Sequence, residues 1–238
     1  MFYLKKWLIA LLMCCIVLKS DTAFAKDYDY AWSTKINDPE TGQNFYICSF
    51  FDKESSVPFE NVVSHHWQGP NSAEIYFSIN ETLEIYNELD PDLLEAIIWQ
   101  ESNYNPVCKL GSCYGLMQVN DIYHRNRANK FSKSIKSVSD WYDIDTNIKV
   151  GADLFWDILC ACDGNETKAL MMYNMGNRGA TLYDSGVVSN YAKSVLNKRD
   201  IIKEERLRGE NLWLKRLAQI QQKSLDGQLE QQKQEKIN

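Results

Sequence analysis

Positive charge is scarce in this chain of 238 residues: 26 Lys and Arg stand against 32 Asp and Glu, a net charge of −6. The deficit is concentrated between residues 26 and 197, where 13 basic side chains face 24 acidic ones. A body of that sign excludes a nucleic-acid-binding surface, because such affinity comes from neutralising phosphates. In an exported protein the acidity is otherwise a matter of solubility. Histidine is scarcer still, with 3 in all. His65 and His66 are adjacent and poorly placed to hold one ion together, and the cysteines lack zinc-ligand spacing, so no metal is expected. His65, His66 and Trp67 read as a surface turn with one packed indole. A membrane-spanning run is missing too. The apolar stretch from Trp7 to Leu18 is too short to cross a bilayer comfortably. With Lys5 and Lys6 before it and Ala23-Phe24-Ala25 after it, it has the pattern of an export signal cleaved after Ala25, and a retained anchor is the alternative. Cys14 and Cys15 lack the small neighbours of a lipid-attachment site.

Apolar and aromatic content is that of a globular protein, at 45% and 12%. The length suits one well-cored domain with appendages. Beyond residue 25 there are five cysteines: Cys48, Cys108, Cys113, Cys160 and Cys162. In an oxidising compartment they are expected to pair where geometry allows. Cys108 and Cys113 bracket a short loop containing Gly111 and are the best-placed pair. Closing so small a ring stabilises by about 2–3 kcal/mol in the entropic account. Free buried thiols are the alternative reading.

Residues 26–77 form an N-terminal extension in which Asn44–Phe51 and Ala73–Ser78 read as short strands. Helical patterning begins near Ile79, with Asn80 a candidate cap for a short helix towards Asn87. Asp90-Pro91-Asp92 is a clear helix start: a capping carboxylate, a proline at the first position and an acid at the positive end. The helix it opens, Pro91 to about Ser102, carries Leu94, Ile97, Ile98 and Glu101 on one stripe. Further helices are expected from Asp143 or Thr146 to about Ala161, from Glu166 to Met175 with Gly176 as cap, and from Val187 to about Lys198. Residues 198–238 form a charged tail of 10 basic and 7 acidic side chains. Its short stripe of Trp213, Leu217 and Ile220 implies an amphipathic helix, able to dock on its own domain or on a protein partner. From about Asp226 little could pack, which predicts disorder.

Glu101 is the candidate for chemistry. A carboxyl group ending an apolar helix face loses water, so its pKa rises and it can stay protonated near neutral pH. That is what a general acid acting on a glycosidic oxygen requires. A helix-end glutamate reaching water is the plainer alternative.

Three separated motifs add to this. The first is Glu101-Ser102, then Asn105-Pro106 and Gly115-Leu116-Met117-Gln118. The second is Asp143 with Asn147-Ile148 and Gly151. The third is Ala169-Leu170, Tyr173-Asn174 and Gly176, followed by Tyr191. In that order, from about Ile79 to Val195, the chain resembles the soluble lytic transglycosylase family of the lysozyme-like superfamily, which includes goose-type lysozymes. The resemblance implies a mainly α lysozyme-like (goose-type) catalytic domain over residues 78–197, with an N-terminal extension that contains short strands and a C-terminal helical tail. It implies cleavage of the β-1,4 bond between N-acetylmuramic acid and N-acetylglucosamine in peptidoglycan glycan strands, with a 1,6-anhydro product and no cofactor. Glu101 would be the single acid and base. Ser102, Met117, Gln118, Tyr173, Asn174 and Tyr191 would contact substrate, with Tyr173 and Asn174 opposite Glu101. The loop departs from its relatives: it is one residue shorter, its only serine between Ser102 and Gly115 is Ser112, and Cys108 and Cys113 stand where alanines are common. Two other readings remain: a goose-type muramidase using Asp121, Asp143 or Asp145 to position water, and a non-catalytic wall-binding or assembly protein.

Overall fold

The computed structural model describes residues 30–51, 58–64 and 71–235. The export signal and the His65-His66-Trp67 turn lie outside them. The described chain divides into two compact units.

The first comprises residues 29–68 and the chain from Glu204 onward. Strands β1 (Tyr30–Asn37), β2 (Asn44–Phe51) and β3 (Pro58–Ser64) form an antiparallel sheet in the order β1-β2-β3. The strand expected over Asn44–Phe51 is β2. The β1–β2 connection is a turn organised by Asp38. Its carboxylate accepts from the Glu40 N–H at 3.0 Å and the Thr41 hydroxyl at 2.6 Å. Gly42 (φ 73°) takes the left-handed conformation that lets the strand return. Phe45 is fully buried and packs against Ile36, Leu212 and Trp213. Tail residues thus cover a side chain of their own chain.

The second unit is residues 69–203. It is helical: α1 (Ser72–Ile85), α2 (Pro91–Ser102), α3 (Asp121–His124), α4 (Ile144–Ala161), α5 (Glu166–Met175), α6 (Asn177–Asp184) and the start of α7 (Asn190–Glu235). A small antiparallel sheet of β4 (Lys109–Leu110), β5 (Cys113–Tyr114) and β6 (Val119–Asn120) follows α2. Helix α4 packs against α1 and α5 and contributes Ile148, Val150, Ala152 and Phe155 to the core. Leu93, Leu94, Ile97 and Ile98 of α2, Trp141, and Ala192 and Val195 of α7 complete it.

The cap signals act as expected. The Asp90 carboxylate accepts from the Asp92 N–H and Asp143 from Thr146, and Asn165, a cap not read from the sequence, accepts from Lys168. Gly176 (φ 61°, ψ −149°) sits in a region essentially confined to glycine, and not in the left-handed helical conformation the sequence suggested. Two expectations are corrected. Residues 73–78 are helical, and Asn80 lies inside α1 and not at its start. Ile75, Ile79 and Thr82 are all buried, a spacing of three and four that a short apolar run does not distinguish from a strand. The tail is helical through Glu235, where disorder was expected from Asp226. Its residues there are good helix formers, and Gln222 donates to Asp226 one turn on at 2.8 Å.

Candidate active site

Glu101 sits in the last turn of α2, beyond the buried Leu94, Ile97 and Ile98. Burial pushes its carboxyl pKa up, and Tyr191 and Lys198 partly oppose this. The Tyr191 hydroxyl, at the start of α7, donates to Glu101 Oε1 at 2.5 Å. Burial, and then the adjacent carboxylate, holds that phenol well above its ordinary pKa, so it remains a donor. Lys198 lies two turns further along α7, with Nζ 4.9 Å above the Trp99 ring and 3.0 Å from Gln100 Oε1. Its burial lowers its own pKa, while Glu101 works against that. The carboxyl group is thus desolvated, held by one phenol and biased by one ammonium.

Immediately after α2, Asn103 (φ 51°) and Tyr104 (φ 61°) turn the chain through consecutive left-handed conformations. Such backbone persists only where surroundings enforce it. Here the enforcement is Glu95, a buried carboxylate whose Oε1 accepts from Tyr104 at 3.0 Å and from Tyr76 at 2.9 Å. The Trp99 and Tyr104 rings also stack, with centroids 6.5 Å apart.

One buried side chain makes three hydrogen bonds at the loop Gly115–Gln118. Asn147 on α4 donates from Nδ2 to the carbonyls of Tyr114 (2.9 Å) and Trp141 (3.0 Å), and its Oδ1 accepts from the Met117 N–H (2.8 Å). Gly115 (φ 76°) leaves no room for a Cβ, which would stand 2.2 Å from Asn147 Nδ2 and 2.6 Å from the Trp141 carbonyl. Gly151 is as constrained, since its Cβ would lie 2.5 Å from Met117 Sδ. These contacts make the second sequence motif the mould for the first.

The expected substrate-contacting residues divide. Tyr173 donates to the Met117 carbonyl at 2.8 Å and does not bond Glu101; that position belongs to Tyr191. Gln118 adopts φ 48° and ties the loop together, with Nε2 donating to Gly115 O (2.8 Å) and Cys108 O (3.2 Å). Its Oε1 is buried without a partner among the described residues. Asn174 is exposed. Two contacts are corrected. Ser102 is buried and its hydroxyl donates to the Ile98 carbonyl of its own helix at 3.0 Å. Met117 is fully buried against Gly151, and its N–H and carbonyl are taken by Asn147 and Tyr173.

The expected disulfide is corrected as well. Cys108 and Cys113 are free thiols. Leu110 pairs with Cys113 and the Gly115 N–H donates to Cys108 O at 2.9 Å, so the two cysteines are offset by two positions across the hairpin. Diagonal neighbours of that kind stand about 7–8 Å apart, beyond the usual Cα separation of a disulfide. Cys113 Sγ instead accepts from Asn120 Nδ2 at 3.6 Å. Intact-mass measurement after alkylation without reductant should therefore find both thiols labelled; a mass showing neither labelled would restore the cross-link.

Asp121, Asp143 and Asp145 are all committed to other partners. Asp121 binds Arg125 at 2.6 Å and accepts from the Trp141 indole at 2.7 Å. Asp143 caps α4, and Asp145 pairs with Lys149 at 2.7 Å. Among the described residues no cluster of His, Cys, Asp or Glu could hold a metal ion.

Glu101 is thus a desolvated carboxyl group at the end of a buried helix, and the loop Gly115–Gln118 is clamped by Asn147 of α4. Residues 78–185 match the family described as the transglycosylase SLT domain. No curated protein matches the sequence significantly. Among solved structures, an inactive mutant of the lytic transglycosylase Slt from Pseudomonas aeruginosa matches with 19% identity and a TM-score of 0.49, over 57% of this chain and 24% of that one. The 70 kDa soluble lytic transglycosylase from Escherichia coli matches with 26% identity and a TM-score of 0.40, over 52% of this chain and 22% of that one. The chain thus spans less than a quarter of the length of either structure.

Proposed function

We propose that this protein is an exported peptidoglycan lytic transglycosylase that cleaves the bond between N-acetylmuramic acid and N-acetylglucosamine through Glu101. The observation that carries this is the desolvated Glu101 carboxyl, bonded by Tyr191, within a segment that matches the SLT domain. Because Oε1 accepts from Tyr191, the acidic proton resides on the other oxygen. That proton passes to the glycosidic oxygen as the bond to the anomeric carbon breaks, releasing N-acetylglucosamine. The Glu101 carboxylate then takes the proton of the muramic C6 hydroxyl, which bonds to the anomeric carbon and closes the 1,6-anhydro ring. The acid is restored and no water is consumed. One group changing roles is ordinary general acid–base logic, and an internal nucleophile supplies proximity.

Asp121, Asp143 and Asp145 are each engaged by a partner of their own and so are poorly placed to position a hydrolytic water, which favours transglycosylation over hydrolysis. Ser102 and Met117 give no side-chain contact to the glycan in this reading; Gln118, Tyr173, Asn174 and Tyr191 border it. Export rests on the signal pattern before Lys26, and no helix among the described residues is long and apolar enough to cross a membrane. The role is wall remodelling or local wall opening for an envelope-spanning machine, with the tail as the element that meets a protein partner. Mass spectrometry of products from defined peptidoglycan tests the reaction. Transglycosylation leaves muropeptides lighter by one water than hydrolysis does, and reducing-end products would refute it.

A further inference from the structure

The β1–β2 turn and the α7 face from Glu204 to Gln219 enclose an open cavity of about 610 Å3. Its helix positions recur every three or four residues, so they form one face about 22 Å long. The two ends differ in electrostatics. At one, Arg208 is consumed: it pairs with buried Asp38 and, at 2.9 Å, with Glu40, and it is the main reason the Asp38 carboxyl is held far below the usual range. At the other, Lys215 and Arg216 are exposed and have no ion-pair partner among the described residues. Leu207, Leu212 and Ile36 supply an apolar strip of the lining, and Leu207 remains 48% exposed.

We propose that this groove binds an extended segment of a protein partner whose apolar side chains lie on Leu207 and Leu212 and whose carboxylates meet Lys215 and Arg216. The shape favours a peptide: an extended chain rises about 3.3 Å per residue, so the face spans about seven residues. The charge pattern favours an acidic one. It also disfavours nucleic acid, because a uniform run of phosphates would meet Asp38, Glu40 and Glu204 as well as the two cations. A peptide can place its charge at one end only. The groove shares no residue with the Glu101 site, so binding and catalysis can be measured separately.

The test is fluorescence anisotropy on the full chain with a labelled peptide of about eight residues, leucines at one end and glutamates at the other. Saturable binding is expected, weakened about tenfold or more by combined K215E and R216E substitutions and weakened by added salt. The same peptide with lysines for glutamates should not bind. Circular dichroism and wall digestion of the variant should match the wild type; if they do not, combined K215Q and R216Q substitutions take its place. Failure of the acidic peptide to saturate, or equal affinity for the charge-altered chain, overturns the proposal. So does displacement of the peptide by a single-stranded oligonucleotide, or a concentration-dependent dimer that the substitutions abolish, since a second copy would then fill the groove.

Discussion

Glu101→Gln is expected to abolish digestion of purified peptidoglycan while leaving the fold intact. The amide is nearly the same size and still accepts from Tyr191, but it has no proton to give to the departing sugar oxygen and cannot take one back. Loss of a positioned general acid and base costs about 10²–10⁴-fold in rate on each role it plays. Clearing assays should fall to background, and circular dichroism should be unchanged. Clearing at the wild-type rate would remove Glu101 from its assigned position.

The pH profile carries the finer signature. In the proposed reaction the acid must be protonated, so activity should fall as pH rises through a Glu101 pKa that burial has raised. Tyr191 pulls in the opposite direction, since its hydrogen bond favours the carboxylate. Tyr191→Phe should therefore shift the alkaline limb of kcat/KM to higher pH, not merely lower its height. A lowered profile with an unmoved limb would mean that Tyr191 only packs.

Asn147→Ala is expected to destabilise the domain by about 3 kcal/mol or more. Three buried backbone groups lose their partner at once: the Met117 N–H and the carbonyls of Tyr114 and Trp141. Each unsatisfied group costs on the order of 1–3 kcal/mol, against a typical total of about 5–15. The midpoint of urea unfolding reads the effect directly, and a shift equivalent to less than about 1 kcal/mol would show that water replaces the amide. The same substitution frees Gly115–Gln118, so activity should fall before the fold is lost.

Much of this architecture is legible in the chain because its signals are local. Asp90-Pro91-Asp92 and Asp143 act on backbone a few residues away, and the helices they start are those found. Glu101 at the end of the Leu94–Ile98 stripe follows from period alone. What stays hidden depends on distance along the chain. Asn147 appears in the sequence only as a motif member, since Met117 and Tyr114 lie 30 and 33 residues before it. Glu95 is harder still. Its value as the anchor of Tyr104 depends on Tyr76, 19 residues earlier, and a lone acid on an apolar face was its only signal. The exchange of roles between Tyr173 and Tyr191 has the same origin: both are aromatic residues near the site, and only three-dimensional placement says which reaches the carboxylate. The strand expected at residues 73–78 failed differently, because six residues are too few to separate a period of two from one of three and four.

The Asn147 clamp also governs how this part of the molecule breathes. Side chains that tie a loop through one bond at a time let it open in small, frequent steps. Here a single buried amide serves three backbone groups together, so an excursion that displaces the Asn147 side chain releases all of them. Opening is then a rare, concerted event drawn from the high-energy end of the native ensemble. Slow hydrogen exchange at the Met117 amide is the expected signature, and in the proposed reaction the motion that admits a glycan strand would come from elsewhere.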